Sequence, residues 1–201
     1  MKVLALKSSV FLLSSLPAAK LLADAFGIGG GSLGANPVES LLHRAGWWGL
    51  VFLLITLAVT PVRDLSGWKI LVRVRRMLGL FAFFYVSVHF STYAVLDQGL
   101  ALGPIIDDVF KRPYITVGMA ALALLIPLAL TSNNFSLRRL KKRWQTLHKL
   151  VYPIAILGVW HFWWQVKKDV SEPLIFAGIL SLLLGYRLFR WRQRAGRQRA
   201  G

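Results

Sequence analysis

An all-α integral membrane protein, a bundle of about six transmembrane helices, is the fold class this sequence predicts, on three observations. Of its 201 residues 56% are hydrophobic and only 16% charged, which is too apolar for a soluble domain of this size. The net charge of +17 comes from Lys and Arg gathered in short blocks between long apolar stretches and at the C-terminus. Such blocks set topology and meet anionic lipid headgroups, so membrane lipid and not nucleic acid is the expected surface partner. Finally, three histidines lie inside apolar stretches: His89 in residues 77–96, and His148 and His161 in residues 144–166. Polar side chains are costly in a bilayer, so their presence there signals function.

The elements follow in chain order. Residues 4–26 form the first apolar span, with Lys2 and Lys7 early and Pro17 and Lys20 within it. Ala23-Asp24-Ala25 has the small-x-small form of a leader cleavage site, but Lys20 falls too late for a signal core, so a retained helix is expected. A glycine-rich turn at 27–34 precedes Asn36-Pro37-Val38-Glu39, where an Asn cap, Pro at the first helical position and Glu three residues after the cap open a short helix. The second span, 47–62, is bracketed by Trp47 and Trp48 at one interface and Pro61 and Arg63 at the other. Then come spans 77–96, 113–130, 144–166 and 174–189, the last opened by Ser171, Glu172 and Pro173. A basic cytoplasmic tail, 187–201, closes what reads as one domain over 1–201, without a β-hairpin pattern or a sequence repeat.

Counting Lys and Arg orients the bundle. The N-terminus, the second and fourth connections and the tail together carry nineteen, against five in the first, third and fifth connections. The positive-inside rule then makes both termini cytoplasmic. Spans three and five run outward, which puts His89 and His161 in the outer half of the membrane and His148 near its cytoplasmic edge.

His89 and His161 are therefore the pair expected to clamp one haem iron from two sides, leaving His148 for a second, inner site. Thirteen residues of helix separate His148 from His161, about 20 Å along an axis, a layout suited to two redox centres stacked across a hydrocarbon layer about 30 Å thick. An ideal helix would set these two about 140° apart around its axis, and Pro153 between them is the available source of a phase change. Opposite His148 the third span offers Arg75 and Arg76 instead of histidine. Arg75 shares a face with His89 and serves either a haem propionate or, by snorkelling, the headgroups. His43 follows the capped turn and reads as solvated or interfacial. Trp160, Trp163 and Trp164 read as an aromatic belt or as the lining of an electron path. The absence of cysteine excludes thiolate ligation and covalent haem attachment, leaving haem b, one or two.

Other classes fit less well. A transporter or proton channel would place carboxylates at mid-membrane, whereas the eight acidic residues lie at span ends or in connections. No histidine is followed by Glu, so no H-E-x-x-H protease motif exists. A non-redox membrane anchor or assembly factor for a periplasmic partner is the alternative reading.

Histidines on the third and fifth spans, with the thirteen-residue gap, resemble the ferric reductase and NADPH oxidase membrane domain. Four ordered motifs are similar to a narrower family, MsrQ (YedZ): Leu33-Gly34-Ala35-Asn36-Pro37-Val38-Glu39 before His43; Arg75-Arg76-Met77-Leu78-Gly79-Leu80 leading to His89; Lys111-Arg112-Pro113-Tyr114-Ile115-Thr116-Val117-Gly118; and Trp144-Gln145-Thr146-Leu147-His148-Lys149-Leu150-Val151-Tyr152. The resemblance implies a ferric reductase-like bundle in the bacterial inner membrane that takes electrons from the quinone pool or a cytoplasmic flavin reductase. It implies delivery to MsrP, a periplasmic molybdopterin enzyme that reduces protein methionine sulfoxide, so catalysis would lie on the partner. It also implies FMN, for which the sequence has no recognisable phosphate cradle; Gly29 to Gly31 reads as a flexible turn. Relative to the oxidases the chain has Arg75 in place of the inner histidine and no flavin or nicotinamide domain.

Overall fold

Asn36 opens the longest helix, and the way it does so explains the first departure from expectation. Its Oδ1 accepts the Glu39 backbone N–H at 3.3 Å, its Nδ2 donates to Glu39 Oε2 at 2.9 Å, and Pro37 takes the first helical position. The helix continues through Gly46 and Gly49, since a glycine inside a helix costs only about 1 kcal/mol, and carries Pro61 within its last two turns before Gly67. The short capped helix and the second span are thus one 30-residue element. It ends where Gly67, at φ 73°, returns its N–H to Arg63 O.

The computed structural model describes residues 2–166 and 169–199; Lys167 and Lys168 of the fifth connection lie outside the described residues, as do the side chains of Arg194, Arg197 and Arg199 in the tail. No strand occurs among the described residues. Helix α1 is Lys2–Ala25, α2 Pro37–Ser66, α3 Arg75–Ser91 with a π-helical turn Thr92–Asp97, α4 Leu102–Lys111 and α5 Pro113–Leu130. They are followed by α6 Asn134–Leu140, α7 Lys142–Leu147, a 3-10 turn His148–Leu150, α8 Val151–Gln165 and α9 Ser171–Arg199. Short 3-10 turns also occur at Ile28–Gly30, where the glycine run falls, and at Lys69–Arg73.

Among the described residues five helices are long and apolar enough to cross a membrane: α1, α2, α3 with its π turn, α5, and α9 as far as Gln193. The fifth predicted span, 144–166, is present but interrupted. Its regular part, α8, has 15 residues, about 22 Å of helix, and α7 and the 3-10 turn supply the rest. Together they still run from one end of the bundle to the other. At the start Trp144 Nε1 donates to Thr131 O beyond the end of α5 at 2.8 Å, and at the finish Gln165 meets His43 near the start of α2 at 3.1 Å. The molecule is a multi-pass, all-α membrane protein.

Helices pack here without a hydrophobic drive between them, so close approach and hydrogen bonds decide the arrangement. Gly49 lets α2 meet α3 so tightly that a Cβ there would lie 2.8 Å from Val86 Cγ2. The Phe52 and Tyr85 rings stack across the same contact, 5.2 Å apart and inclined 3°. Tyr85 is fully buried, and its hydroxyl reaches into α1, where it accepts the Ala18 N–H at 3.0 Å and donates to Ser14 O at 2.7 Å. It stands in for the helical bond those two groups would otherwise make, beside Pro17, which has no N–H to give. Phe11 lies against Phe81 as Ala18 lies against Tyr85, so α1 runs parallel to α3. At the far end of α2, Tyr186 of α9 donates to Asp64 at 3.2 Å. The start of α1 and the end of α9 consequently share one end of the bundle.

Around the centre, α2 packs on α3 and α8, and α5 packs on the same two helices. This order puts α3 diagonally opposite α8. Helix α4 lies outside the ring, with Leu102, Ile106 and Phe110 exposed along one face and Asp108 bonded back to Tyr93 on the other at 3.0 Å.

Candidate functional site

The diagonal brings the rings of His89 and His161 together, edge to face. Their ring centres are 6.0 Å apart, with planes inclined 78°. Two bonds of about 2.0 Å from imidazoles to one shared metal ion, with about 1.1 Å from each nitrogen to its ring centre, would separate the centres by roughly 6.2 Å. The rings are spaced for a single ion between them.

Their protonation is set by the backbone. His89 Nδ1 lies 2.9 Å from Leu42 O in α2, and His161 Nδ1 lies 2.7 Å from Tyr114 O in α5. A carbonyl only accepts, so each Nδ1 carries the proton and each Nε2 keeps its lone pair. Neither Nε2 has a hydrogen-bond partner among the described residues. A donated N–H on the far side of the ring is the usual support of a metal-ligating histidine. No third His, Cys, Asp or Glu joins the pair among the described residues, so the arrangement suits a metal whose other ligands come from elsewhere, as they do in a haem macrocycle.

A cavity of about 250 Å³ opens between α2, α3, α5 and α8 beside the two rings. Its walls are mostly apolar, and small residues recur in them: Gly46, Gly49, Ala82, Gly118, Ala121 and Gly158. Such walls admit a flat, bulky group. Polar side chains gather at the mouth, where His43, Asp97, Arg112 and Gln165 all line the opening. Arg112 Nε pairs with Asp108 at 3.1 Å. The Tyr114 hydroxyl, and then the Asp108 charge, raise the guanidinium pKa above its ordinary value, so Arg112 is a permanent cation beside the cavity. His43 is exposed as the sequence suggested, yet it stands at this mouth, 3.1 Å from Gln165 and 3.8 Å from Glu39.

His148 sits at the opposite end and does not line the cavity. Its ring stacks on Trp144, with centres 3.7 Å apart and planes inclined 23°. Nδ1 bonds Trp144 O at 3.0 Å, and Nε2 faces Ser132 Oγ at 3.4 Å. Arg75 and Arg76, both half-buried, lie within electrostatic reach of it, and no second imidazole does. The phase difficulty is eased by the 3-10 turn His148–Leu150 and not by a kink at Pro153. Such a turn winds about 120° per residue where an α-helix winds about 100°, so three residues bring the two histidines from about 140° to about 80° apart. Trp160 and Trp164 stack on each other, 5.7 Å apart, and with Trp163 face out of the bundle. None of the three lines the cavity, in keeping with a belt.

Residues 45–159, which include Gly46, His89, Gly118 and His148 and end two residues before His161, match the family described as ferric reductase like transmembrane component. A protein-methionine-sulfoxide reductase heme-binding subunit MsrQ from Rhodospirillum rubrum is 58% identical over 171 residues, covering 84% of this chain and 82% of that protein. The protein of the same name from Xanthomonas euvesicatoria pv. vesicatoria is 54% identical over 162 residues, 81% of this chain and 74% of its own length. The chain belongs to the MsrQ family. No solved structure matches it.

For this MsrQ-family chain the sequence pointed to His89 and His161 as partners, and the fold brings those two together. What it missed is the support beneath them. Each histidine lies 47 residues after the carbonyl that receives its Nδ1–H, and four residues after each carbonyl stands a glycine, Gly46 or Gly118. The same three-part unit thus occurs twice, as Leu42, Gly46 and His89 and again as Tyr114, Gly118 and His161. A search for residues of like kind at one shared offset would have found it, whereas similarity over whole segments is too weak to register as a repeat.

Proposed function

We propose that this chain is the electron-transfer subunit of a bacterial protein-methionine-sulfoxide reductase system, holding haem b between His89 and His161. The observation that carries this reading is the pair of imidazoles, 6.0 Å apart, each with Nδ1 donated to a main-chain carbonyl. When bound, a bis-imidazole haem supplies one-electron redox chemistry. The protein would support it with the Nε2 atoms of His89 and His161 as ligands and with the apolar, low-dielectric walls of the cavity beside them. Arg112 is the cation at the mouth that would pair with a haem carboxylate.

The Lys and Arg excess at the His148 end orients that end toward the cytoplasm by the positive-inside rule. The His89 and His161 site is then on the periplasmic side of the inner membrane, where electrons leave for the molybdopterin partner MsrP. Electrons enter from the quinone pool or a cytoplasmic flavin reductase. At the inner end His148 Nε2 meets the Ser132 hydroxyl at 3.4 Å, and Arg75 and Arg76 would provide positive charge for carboxylates; a second haem there would be held by one histidine. To FMN we assign no residues. The glycine run at 29–31 adjoins the Asp24 carboxylate, which Arg44 and Lys20 already pair with at 2.7 and 3.2 Å.

The test is the absorption spectrum of the detergent-purified chain, oxidised and dithionite-reduced, with a pyridine haemochrome assay for stoichiometry. Reduced b-type bands with one or two haems per chain are expected. A colourless protein from cells well supplied with haem would overturn the reading and leave a membrane anchor or assembly factor in its place.

A further inference from the structure

In a helix the carbonyl of residue i accepts the N–H of residue i+4, so the acceptor of each imidazole, Leu42 O or Tyr114 O, already serves the helical bond from Gly46 or Gly118. A carbonyl has two lone pairs, and the histidine takes the second. To do so its ring must lie flat against the helix at the very turn where the i+4 side chain would project. A Cβ built on Gly46 would be 2.9 Å from His89 Nδ1 and 3.1 Å from its Cε1. One built on Gly118 would be 2.9 Å from both Nδ1 and Cε1 of His161. Neither neighbour is the loose end of a flexible chain. Each is a ring fixed by its own hydrogen bond, so it cannot give way without losing that bond.

Resting on the haem reading above, we propose that Gly46 and Gly118 are matched positioning residues. Each opens a seat on which one imidazole is held at a set tilt against a carbonyl, and the two seats together define the relative orientation of the axial ligands and hence the potential of the iron. The arrangement of helices makes the match meaningful. α2 and α5 run in one direction, α3 and α8 in the other, and the diagonal pairs exchange under an approximate two-fold rotation about the bundle axis. The site lies on that axis. Both ligands are therefore built alike, with no distinct proximal and distal side.

The experiment compares full-length, haem-loaded Gly46→Ala and Gly118→Ala with the wild type in detergent, by low-temperature EPR and by redox titration. The control is Gly79→Ala, in α3, whose added methyl would meet only Thr56 Cγ2 at 3.7 Å. Each seat variant should shift the highest low-spin g value and the midpoint potential, or convert part of the haem to high spin, while the control keeps the wild-type signature. Wild-type spectra and potentials in both seat variants would overturn the proposal while leaving haem binding intact; a wild type without haem would overturn the haem reading itself. Should a seat variant lose its haem, thermal unfolding of the apo chains decides. An apo variant as stable as apo wild type locates the fault at the ring and supports the seat. One that unfolds well below apo wild type locates it in helix packing and overturns the seat.

Discussion

The two ends of the bundle hold histidine in opposite ways. At the His89 end two imidazoles from diagonal helices stand 6.0 Å apart, each with Nδ1 tied to a carbonyl. At the His148 end one imidazole lies on an indole, with arginines for neighbours and a hydroxyl near its Nε2. The same residue type on the same interrupted helix, at His148 and His161, thus has two environments, because its surroundings come from other elements. Two opposed imidazoles can hold an iron from both sides, whereas one imidazole among arginines can provide a single ligand and positive charge. The difference teaches that a histidine in a membrane span announces a site, and that the helix diagonally opposite decides what kind of site it is.

This contrast can be broken most forcefully at the paired end. His89→Ala or His161→Ala should abolish the low-spin b spectrum and electron delivery altogether; if both variants kept wild-type spectra and turnover, the pairing would be wrong. Reversing charge in the basic stretch before α7, for example Arg138→Glu with Arg139→Glu, should lower membrane insertion or reduction by a cytoplasmic donor several-fold. The spectrum of the outer haem should not change, and equal reduction rates with every donor would remove the donor contact from this end. A smaller effect is expected of His148→Ala, which should reduce haem content by at most half and leave the low-spin signature in place. Loss of the low-spin signal in that variant would erase the distinction between the ends.

The least effect belongs to packing away from both ends. Tyr85→Phe should cost about 1 kcal/mol, the usual net worth of a buried hydrogen bond, somewhat less if the membrane-embedded reference finds other partners. Denaturant unfolding in detergent would measure it, and limited proteolysis would report looser docking of α1. An unchanged unfolding curve would mean that Ser14 O and Ala18 N close their own helical bond once the hydroxyl is gone.

Much of the fold was legible because a bilayer imposes simple rules. An apolar stretch of the required length must be helical, since its backbone groups have no water to bond, and the spans, the Asn36 cap and the shared location of the chain ends follow from that. The span at 144–166 was legible as a span but not as an interrupted one. A 3-10 turn at His148–Leu150 changes winding without changing hydropathy, so it leaves no mark in the apolar pattern. The continuity of α2 through Gly46 was missed for a related reason: a glycine looks like punctuation when its packing partner is unknown.

The site divides along the same line. By itself the sequence determined that the protein is a helical membrane bundle and that His89, His148 and His161 lie within it, and its motifs pointed to the MsrQ family. It did so because hydropathy, capping and residue identity are local properties, readable one stretch at a time. Only the tertiary structure decided that His89 and His161 are seated on Leu42 and Tyr114, that Gly46 and Gly118 make room for them, and that His148 faces Ser132 and Trp144. Those relations join elements 47 residues apart in one case and 16 in another. They depend on which helices stand diagonally and how closely their backbones approach, which is set by packing across the whole bundle and by no single segment of it.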